Sequence, residues 1–113
     1  MKNELRLKID GLWEEVLKIR REEGKCRNSP QKEEAIRLMH QWALRSEEGR
    51  RYFQEKRTEI RWRLAEIELR EGKYDSALLQ VAKGLHLWQE IKDEDLMAKL
   101  KMTERRINML LAV

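Results

Sequence analysis

The sequence predicts an all-α protein of about five amphipathic helices, packed as an antiparallel bundle or short helical array in one domain over residues 1–113. Three observations predict it. Leu, Ile, Val, Trp and Met recur at spacings of three and four along nearly the whole chain, the period of a helix with a buried face. Hydrophobic and charged residues each make up 41% of the sequence, which supplies apolar stripes and the Glu, Lys and Arg to solvate the rest. Five Gly and one Pro are the only breakers, and most stand where helices start or stop. A chain of this size buries roughly two-thirds of its unfolded surface, enough for a core without disulfide or metal.

The first helix is expected over about residues 3–23, with Leu5, Ile9, Leu12, Trp13, Val16 and Ile19 on one stripe. Asn3 suits its N-cap and Gly24 its C′ position. Gly11 in mid-helix costs ~1 kcal/mol relative to Ala. Residues 24–29 form a loop. A second helix then opens on Ser29 as N-cap, Pro30 at the first helical position, and Glu33 and Glu34 in the first turn. Its apolar residues are Ala35, Ile36, Leu38, Met39, Trp42 and Ala43. The run Ser46-Glu47-Glu48-Gly49 reads either as a break with a fresh start or as a continuation into the next helix.

The third helix, to about Glu71, carries two stripes: Phe53, Ile60, Leu64 and Ile67, and Trp62, Ala65 and Leu69. Two apolar sides imply a helix wedged between two neighbours. Gly72 ends it. A fourth helix follows over about 75–91 with Ala77, Leu78, Val81, Leu85 and Trp88. Asp93 caps a fifth, about 94–111, with Leu96, Met97, Leu100, Ile107, Leu110 and Leu111.

Leu64-Ala65, Gly72-Lys73-Tyr74-Asp75-Ser76-Ala77 and Gly84-Leu85 together resemble a tetratricopeptide repeat over residues 57–90, a hairpin within 50–91. In that family a helix ends at a Gly turn, Tyr opens the second helix, and Ala three residues on lets the helices approach. Arg61, Glu68 and Gln89 depart from the pattern at positions that are usually apolar, aromatic and Pro. No second copy is visible at a period of ~34 residues. The resemblance implies a helical array that docks peptides or protein segments on a concave face. It transfers no ligand contacts.

The formal net charge is +4, and residues 50–63 hold all of it: Arg50, Arg51, Lys56, Arg57, Arg61 and Arg63 against Glu55 and Glu59. This stretch also contains Tyr52, Phe53 and Trp62. Two readings stay open. The charges form a solvated helix face whose stems cover apolar neighbours, or they draw an anionic partner. Trp62, between Arg61 and Arg63, either meets a partner, as Trp and Arg do at interface hot spots, or packs against a neighbouring helix. The chain finishes Ile107-Asn108-Met109-Leu110-Leu111-Ala112-Val113, whereas helical arrays usually close on a polar outer face. Leu110 and Leu111 are therefore expected to fold back or to meet another chain, and a homodimer is one expectation.

Catalytic chemistry is not expected. There is no Gly-rich phosphate loop, no paired Cys and no H-E-x-x-H. His86 and Glu90 lie four apart and lack a third ligand, so an ordinary surface pair is favoured over a metal site. His40 is expected at the boundary of helix two. Cys26, alone in the chain, forms no internal disulfide and fits a reducing cytoplasm. No catalytic residue, metal or cofactor is expected. No signal-peptide core and no apolar run near ~20 residues is present, so a cytoplasmic protein away from membranes is expected.

The functional expectation is a protein-protein interaction module, an adaptor or small subunit of a larger complex, docking a protein or peptide through an apolar groove with a basic flank. Arg50, Arg51, Arg57, Arg61, Trp62, Arg63, Leu110 and Leu111 are its expected contact residues. The alternative is an RNA- or DNA-binding accessory protein that uses the basic stretch 50–63. A small regulatory or inhibitory factor comes third.

Overall fold

A computed structural model describes residues 2–25 and 27–112, without the side chains of Lys2 and Asn3. The expectations placed on Cys26 and on the Asn3 side chain lie outside the described residues. The described residues form five α-helices: α1 (Lys2–Glu23), α2 (Pro30–Arg45), α3 (Glu47–Arg70), α4 (Tyr74–Ile91) and α5 (Glu94–Leu111). No strand occurs among the described residues. The fold class is all-α, as the periodicity predicts.

The helix ends follow the local chemistry. Ser29 Oγ accepts from the Lys32 amide at 3.2 Å, with Pro30 behind it. Asp93 Oδ1 accepts from the Leu96 amide at 3.1 Å. Each satisfies an N–H that has no intrahelical partner. Gly24 and Gly72 take φ of +76° and +79° after α1 and α3, the left-handed region that a side chain disfavours. α1 begins at Lys2, so Asn3 lies inside the helix. Of the two readings of residues 46–49, the break is the one realised: Ser46 ends α2 and its Oγ accepts from the Gly49 amide at 3.0 Å, opening α3.

Tertiary contacts divide the chain into two compact units, Met1–Arg50 and Arg51–Val113, with the division inside α3. In the first unit α1 packs on α2. Its buried residues include Ile9, Trp13, Val16, Leu17, Ala35, Met39 and Trp42. The Trp13 indole N–H donates to Met39 Sδ at 2.9 Å, so a buried donor is satisfied by a soft acceptor. Gly49 is buried because the first turn of α3 runs against the last turn of α2. A Cβ there would overlap the Trp42 carbonyl and lie 2.6 Å from Trp42 Cδ1.

The second unit is built from α3, α4 and α5 around Ala65, Leu69, Ala77, Val81, Leu100 and Ile107. Trp62, Tyr74, Leu78, Leu85 and Trp88 pack around this centre. α3 bonds to both of its neighbours here: Arg61 reaches Gln80 on α4, and Trp62 reaches Thr103 on α5. Both neighbours meet the stripe of Trp62, Ala65 and Leu69. Small residues set the spacing, since a Cβ on Gly84 would lie 2.8 Å from Leu100 Cδ2 and 3.4 Å from Arg61 Cβ.

Candidate functional site: a basic cleft between α3 and α4

The sequence-predicted basic residues separate on folding. Arg50 and Arg51 are exposed near the start of α3. Lys56 is 8% exposed and pairs with Glu59 at 2.9 Å. Arg63 is half-buried and engaged in interactions of its own. Positions two apart on a helix point ~200° apart, so Arg61 and Arg63 face opposite ways. Only Arg57 and Arg61, one turn apart, reach the same concavity.

That concavity is an open cleft of about 340 Å³ lined by Arg57 and Arg61 of α3 and by Ala82, Lys83, His86 and Leu87 of α4. Its apolar floor carries a cationic rim. None of the four basic side chains pairs with a carboxylate among the described residues. Arg57 lies over the Phe53 ring at 5.3 Å, a cation–π contact that leaves its N–H groups available. Arg61 Nη1 donates to the neutral Gln80 Oε1 at 2.9 Å, and Gln80 Nε2 donates to Glu68 Oε1 at 3.2 Å. Elsewhere in this unit Lys73, Lys101 and Arg106 meet Glu71, Glu104 and Glu66. The residues that line the cleft include no carboxylate.

Sequence reasoning missed Lys83, which it left unmentioned, and assigned His86 to a pair with Glu90. In the structure Glu90 Oε2 accepts instead from Gln54 Nε2 at 3.0 Å, while His86 lines the cleft beside three cations. A cationic setting opposes metal binding, and no group of three metal-ligating side chains exists among the described residues. The signal for Lys83 and His86 was their three-residue spacing on α4, legible only once α4 is laid against Arg57 and Arg61.

Trp62 packs rather than projects. Its Nε1 donates to Thr103 Oγ1 at 3.1 Å, and Lys99 Nζ covers the ring at 4.9 Å. The neighbouring helix it packs against is α5. The other Trp residues are core or core-edge, with the Trp88 indole donating to the Asp93 carbonyl. Leu110 and Leu111 are each 45% exposed at the end of α5, with Met102 and Met109 also exposed. His40 is exposed on α2. No helix among the described residues is long and apolar enough to cross a membrane.

No family model, curated protein or solved structure matches the chain.

Proposed function

We propose that this chain is a protein-docking module, an adaptor or small subunit of a larger complex, whose α3/α4 cleft receives an acidic, amphipathic segment of another protein. One observation carries the reading. Arg57, Arg61, Lys83 and His86 converge from two helices on one apolar-floored cleft that holds no carboxylate of its own. Uncompensated charge in a concavity raises the local concentration of an anionic partner. Ala82 and Leu87 offer that partner apolar contact beneath the charges. The tetratricopeptide-like turn at Gly72–Ala77 supports the same reading, because arrays of that kind dock protein segments.

Nucleic acid is the less favoured occupant. Single strands bind by stacking bases on open aromatic faces. Here Phe53 has Arg57 over it, and Trp62 is covered by Lys99 and tied to Thr103. The test is a titration of the whole chain with a labelled acidic amphipathic peptide and, separately, with single- and double-stranded RNA and DNA, at low and near-physiological salt. The peptide is expected to bind and to lose its affinity when Arg57, Arg61 and Lys83 are together reversed to Glu. Tighter, steeply salt-dependent binding of nucleic acid would replace the docking reading with the alternative.

A further inference from the structure

We infer that the α3/α4 cleft is shaped for a phosphoryl group, so that the segment docked there presents a phosphorylated side chain. The inference rests on the docking reading above and narrows it. Arg57, Arg61 and Lys83 supply three positive charges around one cleft with no carboxylate among its lining residues. One partner carboxylate would leave most of that charge unmatched. A phosphoryl group carries about −1.5 to −2 and three strong acceptor oxygens. Arg supplies a planar fork of donors suited to such oxygens, and Lys supplies a compact point charge. The cleft, at about 340 Å³, falls at the small end of the ~300–1,000 Å³ range of ligand pockets. That suits one side-chain head group rather than an extended strand.

The second observation is how Arg61 is held. Arg61 and Glu68 are two of the positions at which the sequence departs from the tetratricopeptide pattern, and Gln80 joins them. Glu68 is only 6% exposed, and its Oε2 makes no hydrogen bond among the described residues. Burying a carboxylate with an idle oxygen is unfavourable. Its one hydrogen bond orients the Gln80 amide so that the amide oxygen faces Arg61. The guanidinium is thereby fixed by a neutral acceptor that positions it without neutralising it, and its remaining N–H groups stay open to a ligand. A preset donor loses less freedom on binding than a mobile one.

The whole chain is titrated by fluorescence polarisation at near-physiological salt with one acidic amphipathic peptide sequence carrying serine, aspartate or phosphoserine at its centre. Single-stranded RNA of equal charge is the fourth probe. The phosphoserine peptide is expected to bind about tenfold or more tightly than the serine form, and more tightly than the aspartate form. Lys83→Gln, at an exposed position where the fold is preserved, and Arg61→Gln are each expected to remove most of that advantage. Equal binding of the three peptides overturns the phosphoryl inference and leaves acidic docking standing. Failure of all three overturns both. RNA binding tighter than the phosphoserine peptide also overturns both, in favour of a nucleic-acid interface.

Discussion

Each unit of this chain joins its helices by apolar burial and by side-chain hydrogen bonds, and the bonds differ in kind. The first, Met1–Arg50, buries apolar side chains along α1 and α2, sets Gly49 close against Trp42, and ties the two helices through the Trp13 indole on Met39 Sδ. The second, Arg51–Val113, has an apolar centre of comparable kind, and its helices are crossed by contacts among hydroxyl, carboxylate, amide and guanidinium groups. Thr103 on α5 is their hub. Its hydroxyl accepts from Trp62 Nε1 and lies 2.6 Å from Glu66 Oε1 and 2.9 Å from the Lys99 carbonyl, to one of which it donates. Arg106 reaches both Glu66 oxygens at 3.3 Å. A second polar chain, Arg61–Gln80–Glu68, reaches the cleft. The lesson is that apolar stripes bring helices together, whereas cross-helix polar contacts fix where particular side chains stand. The Arg61–Gln80–Glu68 chain is the one that adjoins the candidate site.

The largest expected effect tests the apolar centre of the second unit. Leu100→Ala, at a fully buried side chain, is expected to cost about 2–5 kcal/mol, measured by urea unfolding. A loss below the low end of that range would show that the polar contacts, not the apolar centre, dominate that unit. Next comes the close approach in the first unit. Gly49→Ala forces a methyl into the Trp42 backbone and is expected to destabilise by about 1–3 kcal/mol. An unchanged urea midpoint would mean that the two helix ends separate at little cost.

Thr103→Val probes the polar hub directly. It keeps the shape but leaves the Trp62 N–H without its acceptor, an expected loss of about 1–2 kcal/mol, together with altered Trp fluorescence. A neutral result would show that the hub adds little to the apolar centre of the second unit. Gly11→Ala runs the other way. Gly11 is exposed in mid-α1 with nothing within 4 Å of an added Cβ, so the substitution is expected to stabilise by about 0.5–1 kcal/mol, read as a raised melting temperature.

The smallest effect belongs to the surface pair Glu34–Arg37 on α2. The side-chain hydrogen bond from Arg37 holds the Glu34 carboxyl below the usual Glu range. A carboxyl lowered in this way contributes stability above its unfolded pKa, and that contribution fades as pH falls through the folded value. Glu34→Gln is therefore expected to flatten the acid limb of the stability curve slightly and to change little at neutral pH, because exposed pairs contribute little. A large neutral-pH loss would mean that this exposed pair contributes more to the first unit than pairs of its kind do.

Much of this was legible in the chain. Ser29-Pro30, Gly24, Gly72 and Asp93 marked helix ends that the backbone realises within a residue or two, because capping depends on neighbours in sequence. Periodicity placed Ile9, Trp13, Met39, Ala65, Val81, Leu100 and Ile107 inside. Less legible were the buried polar residues. Thr58 and Thr103 are almost fully buried, Thr58 donating to the Gln54 carbonyl one turn back and Thr103 serving the hub. A polar letter in a stripe gives no sign of a partner on another helix.

The candidate site was half legible for the same reason. The run of Arg in residues 50–63 showed where positive charge lay, and Arg57 and Arg61, four apart, were bound to share a face of one helix. The sequence by itself thus determined the helices, their caps, their apolar faces and the helix that bears the charge, since each depends on residues within a turn or two. Tertiary structure alone decided that Lys83 and His86 close the cleft from α4, that Glu68 holds Gln80, and that Lys56 and Trp62 turn inward. Those outcomes depend on which helix faces lie against each other. Packing sets that arrangement through close approaches such as Gly84 beside Leu100 and Arg61, between residues far apart in the chain.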